Sequence, residues 1–228
     1  MPTALKTGKP GSRGEPEKTR AAILHAALEE FSREGVAGAR TDEIARRAGV
    51  NKALLYYYYK DKEGLYSAAL EQVYSGLAER VLKVLDTPGL SPRTRLLTYV
   101  EAHFDYIASA PVYPRLVQHE LMRTAGRTLS PALSRVFERY YKPFYARLRQ
   151  LISEGVASGD FRKVDPVQTL TSILGIIIFY FISLPAQQVF HSGDPLSAER
   201  IAARRAAVLD FVSAALFAPA APEKRKTH

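Results

Sequence analysis

Apolar residues recur with helical spacing along most of this chain. Near the amino end, Ile23, Ala27 and Phe31 fall on one face of the first predicted helix. Gly35 is expected to end that helix, because glycine readily adopts a positive φ angle. No convincing pair of strands is present; the β-prone run 56–59 lies between helix signals and has no partner. The pattern therefore predicts an all-α protein.

Polar residues and glycines divide the next segment into short helices. Thr41 is predicted to cap the second helix, whose first turn carries two acidic residues, and Gly49 is predicted to end it. Asn51 is placed to cap a third helix that ends at about Tyr59. A fourth helix is predicted over 61–85, where proline and glycine follow. The second and third helices have the spacing of a helix-turn-helix.

Later helices are predicted to begin where a capping residue precedes proline. Ser91–Pro92, Ser130–Pro131 and Asp165–Pro166 have this form, and Ser197 is expected to cap the last helix. About nine helices result: three short ones, then six that are mostly longer.

The same pattern divides the chain into four parts. Residues 1–17 and 219–228 lack helical periodicity and are expected to be a mobile basic arm and a mobile tail. Residues 18–66 are predicted to form the helix-turn-helix domain. Residues 67–218 are predicted to form a six-helix domain.

Composition narrows the classes of function. The chain has 228 residues, 46% of them hydrophobic, and a formal net charge of +9, which favours a polyanionic partner. It has no cysteine, so disulfides, thiolate metal sites and cysteine nucleophiles are excluded. The longest apolar run, 173–182, is shorter than the roughly 20 residues of a membrane span. We therefore expect a cytoplasmic protein with no membrane partner.

The sequence contains no motif that is typical of a metal site or of an enzyme. The histidines are not paired at ligand spacing, so no metal site is predicted; they are His25, His103, His119, His191 and His228. No nucleophile elbow, phosphate-binding glycine loop or suggestive carboxylate pair occurs. The sequence predicts neither an enzyme nor a bound cofactor.

The third helix carries the most specific chemistry. A helix this short buries one face, so Leu55 and Tyr59 are expected inside, while Tyr56 and Tyr57 on the opposite side stay substantially exposed. A phenol offers a flat apolar face for sugar or thymine methyl and a hydroxyl for phosphate. Lys52 can approach a guanine edge. These features predict a surface that contacts duplex DNA.

This region resembles the tetracycline-repressor (TetR) family of bacterial transcription regulators. The resemblance covers residues 19–70 and is carried by Thr41-x-x-Ile44-Ala45-x-x-Ala48-Gly49-Val50-x-x-x-x-Leu55-Tyr56-Tyr57-Tyr58-Tyr59-x-x-Lys62-Glu63-x-Leu65. It implies a helix-turn-helix DNA-binding domain followed by a ligand-sensing and dimerisation domain. Family members often have histidine in place of Tyr58 and usually phenylalanine in place of Tyr59, so Tyr59 buries a hydroxyl that needs a partner.

The resemblance also implies residue roles. Phosphates would be held by Thr41, Tyr57, Tyr58 and Lys62. Base edges would be faced by Lys52, Ala53 and Tyr56. Asn51, at the start of the third helix, completes the predicted DNA-binding set.

The last two predicted helices, 165–190 and 197–217, are apolar on more than one face. Such helices need two neighbours, and small residues among them, including Gly175, Ala206 and Ala207, allow close approach. Two copies would form a four-helix interface, and the alternative is the core of a monomer. In a dimer, two recognition helices related by two-fold symmetry would bind a palindromic operator.

The middle of the chain is rich in aromatic residues and is interrupted by Pro143, which is expected to kink its helix. These residues form either a pocket for a small lipophilic or aromatic ligand or simply an aromatic core. The candidate ligand-binding residues are His103, Phe104, Ile107, Tyr113, His119, Phe137, Tyr140, Tyr141, Phe144, Phe179 and Tyr180.

Two functions stay open at this point. One is a dimeric repressor that an unidentified small-molecule effector releases from DNA, with the fourth helix as the coupling element. The other is a DNA-binding regulator or activator without a small-molecule inducer.

Overall fold

The computed structural model describes residues 16–110, 112–123, 128–190 and 192–218, with the backbone alone at Leu121. The predicted arm, 1–17, lies outside these residues except for Pro16 and Glu17, which begin the first helix. The predicted tail, 219–228, lies outside them entirely.

Helices account for most of the described chain, which confirms the all-α prediction. They are α1 (Pro16–Gly38), α2 (Thr41–Ala48), α3 (Lys52–Tyr59), α4 (Lys62–Leu85), α5 (Pro92–Ser109), α6 (Val112–Arg123), α7 (Pro131–Val136), a π-helical turn (Phe137–Tyr141), α8 (Lys142–Ser158), α9 (Pro166–Ile182), α10 (Leu184–Phe190) and α11 (Ala198–Leu216).

The described residues divide into two compact units. Unit 1 takes its residues from Met1–Gly76 and Ala110–Tyr141, and unit 2 from Leu77–Ser109 and Lys142–His228. Unit 1 therefore includes α6, α7 and the π turn besides the helix-turn-helix, and α4 contributes residues to both units.

In unit 1, α1 packs against both α2 and α6. Phe31 meets the fully buried Tyr66 edge to face, with ring centroids 4.9 Å apart. The Tyr66 hydroxyl donates a hydrogen bond of 2.8 Å to the buried carboxylate of Glu120 on α6. These contacts make α6 part of the support for the helix-turn-helix.

Helix α1 is kinked where the sequence placed its end. Gly35 has φ 65° and ψ 175°, and a short helical segment continues to Gly38. His119 of α6 lies against this kink: its Nε2 is 3.2 Å from the Ser32 carbonyl oxygen, and a Cβ on Gly35 would approach its Nδ1 to 3.0 Å. Glycine is required here both by the positive φ and by the neighbouring imidazole.

In unit 2, α5 packs against α8, α9 and α11. Phe104 and Phe144 are fully buried, and Phe104 lies 5.2 Å from Phe181 of α9, centroid to centroid. Beyond α8, Phe161 forms an isolated antiparallel bridge with Phe217, and their rings stack at 5.8 Å. This bridge fastens the end of α11 to the connection before α9.

Several predicted helix starts are confirmed. The side chains of Asn51, Ser130 and Asp165 accept hydrogen bonds from the backbone N–H groups of Leu54, Leu133 and Gln168. The Ser91 hydroxyl likewise accepts from the Thr94 N–H at 3.2 Å. Ser197 precedes α11 as expected but makes no side-chain capping bond. Each confirmed cap is a local interaction between residues three apart.

Two local predictions are wrong. Thr41 does not cap α2; Arg40 occupies the N-cap position and Thr41 is the first helical residue. The predicted helix 165–190 is two helices, α9 and α10, which meet at 71°. Pro185 explains the break, because its ring would clash with the carbonyl four residues earlier in a continuous helix.

The predicted interruption near Pro143 takes the form of the π turn. Proline has no N–H to donate to the carbonyl four residues earlier, so the regular α-helical ladder cannot continue through it. One wider turn, Phe137–Tyr141, precedes it. Such turns often occur at functional sites.

Among the described residues, no single helix is long and apolar enough to cross a membrane. Helices α9 and α10 meet that criterion only when they are taken together across their 71° bend.

We predict that His103 makes the stability of the protein depend on pH. Burial lowers its pKa from 6.5 to about 4, and its Nδ1 lies 2.9 Å from the Tyr99 hydroxyl oxygen. The folded state therefore favours the neutral imidazole, and the unfolded chain takes up a proton first as pH falls below 6.5. At about 1.4 kcal/mol per pKa unit, roughly 3 kcal/mol of stability is lost between pH 6.5 and 4.

Chemical unfolding of the wild type and His103→Gln at several pH values measures this loss. Glutamine keeps a neutral polar group but does not titrate, so its curve should be flatter in that interval. Parallel curves for the two proteins would contradict the assignment.

Candidate nucleic-acid interface

One face of α3 anchors it in unit 1. Leu55 is fully buried and Tyr59 nearly so. The Tyr59 hydroxyl donates to the Arg20 carbonyl oxygen of α1 at 3.2 Å, which supplies the partner that the sequence required. Burial raises the pKa of Tyr59, so the phenol stays protonated and remains a donor.

The opposite face of α3 points to solvent. Tyr57 is 79% exposed, and its ring packs edge to face against Tyr58 with centroids 5.3 Å apart. Ala53 is exposed, and Tyr56 and Tyr58 are half-buried. As the helical pattern predicts, Tyr59 belongs to the core and Tyr57 is exposed, whereas Tyr56, which was expected to be substantially exposed, is half-buried.

The start of α2 meets this face. The Thr41 hydroxyl lies 3.2 Å from the Tyr56 hydroxyl, so a predicted phosphate contact and a predicted base contact are joined by a hydrogen bond. Next to them, Lys52 Nζ is 2.7 Å from Asp42 Oδ1. This ion pair raises the pKa of Lys52 and lowers the pKa of Asp42. The four side chains form a cluster on the exposed surface.

The ammonium group of Lys62 lies at the end of α1. Its Nζ donates to the carbonyl oxygens of Ala37 and Ala39, at 3.2 Å each. A cation at this place is favoured by the negative end of the α1 dipole and by carbonyls that lack helical partners. Lys62 therefore stabilises the α1–α2 connection in addition to its predicted phosphate contact.

The connection from α3 to α4 is unusually tight. The Gly64 N–H donates to Asp61 Oδ1 at 2.7 Å, and a Cβ on Gly64 would lie 2.4 Å from the Tyr59 carbonyl oxygen. Lys60 between the helices has φ 61°. Any side chain at position 64 would push α3 and α4 apart.

Two residues that shape this surface are not predicted from the sequence. The sequence predicts Asp42 only as a favourable charge at the helix start, whereas its carboxylate pairs with Lys52. Glu30, which is buried, accepts a hydrogen bond of 3.3 Å from the Arg40 N–H and an ion pair from Arg33, so it fixes the start of α2. The Asp42–Lys52 and Glu30–Arg40 contacts each join residues ten apart in the sequence, and no local pattern indicates them.

The predicted ligand-binding residues divide between the units. Five belong to unit 1, where Tyr113, Phe137 and Tyr141 gather around Tyr74. Phe137 stacks on Tyr141 at 4.6 Å and lies 5.5 Å from Tyr74, centroid to centroid. The other two do not join this group: the Tyr140 hydroxyl donates to Glu71 at 2.7 Å, and His119 lies at the kink of α1.

The remaining six belong to unit 2 and are not one cluster. His103, Phe104, Ile107 and Phe144 are buried core residues. Phe179 is exposed, and the Tyr180 hydroxyl donates to the Pro195 carbonyl oxygen at 2.6 Å. In unit 2, therefore, four of the candidate ligand-binding residues are part of the core, the alternative to a pocket: His103, Phe104, Ile107 and Phe144.

Within the part of the chain that the structure describes, no group of three or more histidine or acidic side chains is placed to hold a metal ion.

Two family models match the chain. The model for bacterial regulatory proteins of the TetR family matches residues 23–69, and a model for a tetracyclin repressor-like C-terminal domain matches residues 92–212. The chain belongs to the TetR family. The members it matches are transcriptional regulators, and this protein is accordingly a regulator and not an enzyme.

Individual TetR-family proteins agree with this assignment. The chain is 30% identical to the HTH-type transcriptional repressor SCO4008 of Streptomyces coelicolor over 75% of its own length and 82% of the relative. The crystal structure of the transcriptional regulator SCO4942 from the same species has a TM-score of 0.66 at 27% identity, covering 86% of this chain and 97% of that one.

A further similarity shows the fold alone. FadR of Bacillus subtilis, solved in complex with stearoyl-CoA, has a TM-score of 0.65 at 20% identity, covering 84% of this chain and 96% of that chain.

We predict that substitutions on α3 separate two kinds of DNA contact. Tyr57→Ala should weaken binding to all duplexes alike, because a phosphate contact is lost, and should leave the salt slope unchanged, because a neutral phenol displaces no counterion. Tyr56→Ala should instead change which sequence is preferred. Fluorescence anisotropy with specific and random duplexes at several salt concentrations measures both effects. The assignment of roles fails if the two variants behave alike.

We predict that Lys62→Met lowers folding stability as well as DNA affinity. Two hydrogen bonds to carbonyls at the end of α1 are removed, at roughly 1 kcal/mol each. The melting temperature measures the loss of folding stability, and titration with duplex DNA measures the loss of affinity. Lys60→Met is the matched control, since Lys60 is exposed and lies two residues away; equal melting temperatures for the two variants would contradict the role.

Proposed function

We propose that this protein is a homodimeric repressor that binds a palindromic DNA operator and leaves it when a small lipophilic or aromatic molecule binds. The observation that carries the DNA-binding part is the exposed surface of α3, with Tyr57 in solvent and Lys52, Tyr56 and Thr41 clustered beside it. An exposed phenol beside a lysine and two hydroxyl groups offers an apolar face and hydrogen-bond donors to the sugars and phosphates of DNA. The repressor activity of SCO4008 supports repression as the outcome.

Phosphate binding is supported at the start of α2. Arg40 provides no side-chain cap, so the first N–H groups of α2 are not satisfied by that side chain. A helix N-terminus attracts anions, and the Thr41 hydroxyl and the exposed Arg40 are next to it. A backbone phosphate at this place would leave α3 directed into the major groove.

Dimerisation is supported by the outer faces of α9 and α11. Phe179 is 60% exposed and Phe211 is 59% exposed, and an open groove of about 960 Å³ lies between the two helices. Gly175, Ala206 and Ala207 are exposed as well, which leaves room for close helix packing. A second copy would bury these apolar groups and place two α3 helices on one duplex.

A ligand site is supported by the aromatic group around Tyr74 in unit 1 and by the π turn that carries Phe137 and Tyr141. The flat, apolar rings suit an aromatic or lipophilic molecule, and FadR of Bacillus subtilis, which has a similar fold, was solved in complex with stearoyl-CoA. Binding would shift an equilibrium between subunit spacings, with α4 as the predicted coupling element.

The operator is tested by a gel shift of the purified protein against the DNA upstream of its own coding region. We expect a retarded band that survives excess random duplex and a footprint with two-fold symmetry. Binding that random DNA abolishes completely would contradict an operator function.

We predict that Phe211→Asp prevents dimerisation. A carboxylate in an apolar interface is costly, so the variant should sediment as a monomer and bind operator at least tenfold more weakly. Met122→Asp in unit 1 is the control, because Met122 is 77% exposed and lies on α6. Analytical ultracentrifugation decides the matter: a dimeric Phe211→Asp protein would refute this interface.

A further inference from the structure

The ion pair between Asp42 and Lys52 has an unusual position. Asp42 lies in the first turn of α2 and Lys52 is the first residue of α3, and both are exposed, with side chains 62% and 47% accessible. The first turn of α3 contains no acidic residue of its own. A lysine there faces the positive end of the helix dipole, and Asp42 supplies the negative charge that holds it.

Asp42 is an acidic side chain beside the basic residues Arg40 and Lys52 and the aromatic Tyr56. Arg40 acts on both members of the pair through its charge, and the Thr41–Tyr56 hydrogen bond lies beside them. A carboxylate here repels phosphate, so it opposes DNA binding in general. Its contact with Lys52 gives it a second effect.

The ammonium group of Lys52 has three N–H donors. One of them is directed to Asp42 Oδ1 at 2.7 Å, which restrains the long side chain and leaves the other two for a further acceptor. The O6 and N7 atoms of guanine present two acceptors at the edge of the major groove. An unrestrained lysine would instead turn to the nearest phosphate on any sequence.

We propose that Asp42 determines operator specificity by holding Lys52 for a base edge and withholding it from phosphates. This inference rests on the proposed DNA-binding function. The carboxylate lowers affinity for duplexes that lack the preferred base and keeps affinity for the operator, so discrimination arises from repulsion as well as attraction. Asp42 is a positioning residue that acts through Lys52.

The experiment is a double-mutant cycle of wild type, Asp42→Asn, Lys52→Met and the double variant. The operator is first selected from random duplexes with the wild-type protein. Affinities are then measured for the operator, for the operator with single base-pair changes, and for random duplex, over a range of salt concentrations.

We expect Asp42→Asn to lower the ratio of operator to random affinity about tenfold, the size of one good base contact. Most of that loss should come from tighter binding to random duplex. The salt slope on random duplex should steepen by about 0.9, because Lys52 gains one phosphate contact. In the Lys52→Met background, Asp42→Asn should change the ratio less than about twofold, because the lysine through which Asp42 acts is absent.

Glu43→Gln is the matched control for charge. Glu43 is the next residue and carries the same charge, but its carboxylate contacts Arg46 and Arg47. Its loss should tighten binding to all duplexes alike and leave the ratio unchanged. An equal fall of the ratio in Glu43→Gln would show that total charge, not the contact with Lys52, sets the discrimination.

The other possible results distinguish a failure of the Asp42 proposal from a failure of the proposed DNA-binding function. The proposal is overturned if Asp42→Asn leaves the ratio of operator to random affinity undiminished. It is also overturned if Asp42→Asn lowers that ratio equally in the Lys52→Met background, because Asp42 would then contact a base directly. If the wild-type protein binds no duplex at low salt, the proposed function itself fails. Melting curves confirm that each variant is folded.

Discussion

The burial of one side of α3 determines how the residues of the proposed DNA-binding surface are arranged. An eight-residue helix has too few contacts to be stable alone, so its position depends on Leu55 and Tyr59 beneath it. The hydrogen bond from Tyr59 to Arg20 ties that side to α1 at a defined rotation. With the rotation fixed, Tyr57 must face solvent, and Lys52 and Tyr56 must face the start of α2.

Support for this arrangement extends beyond the three short helices. Helix α6 packs against α1. Its Glu120 accepts a hydrogen bond from Tyr66, and its His119 contacts the Ser32 carbonyl oxygen. Unit 1 is thus stabilised by residues far apart in sequence, which are joined by buried polar contacts as well as by apolar packing. A buried carboxylate such as Glu120 is tolerated because Tyr66 donates to it and Arg123 lies 3.0 Å away.

Sequence alone predicted the features that depend on neighbouring residues. Asn51, Ser130 and Asp165 cap helices because a short polar side chain reaches a backbone N–H three residues on, and that geometry is local. Thr41 looked equivalent, but it is the first residue of α2, its hydroxyl bonds to Tyr56, fifteen residues away, and Arg40 takes the N-cap position. Likewise, Lys62 and Asp42 have partners on other helices, which only the crossing geometry brings near. Pro143 indicated an interruption, yet the width of the turn before it depended on packing.

The turn at Gly64 also limits which segments of this protein can be transferred to another protein. A Cβ at position 64 would lie 2.4 Å from the Tyr59 carbonyl oxygen, so α3 and the beginning of α4 keep this close approach only with glycine there. A chimera that transfers DNA preference to a related scaffold should therefore carry the whole of 41–65, because a junction inside this segment would separate Thr41 from Tyr56 or Asp42 from Lys52.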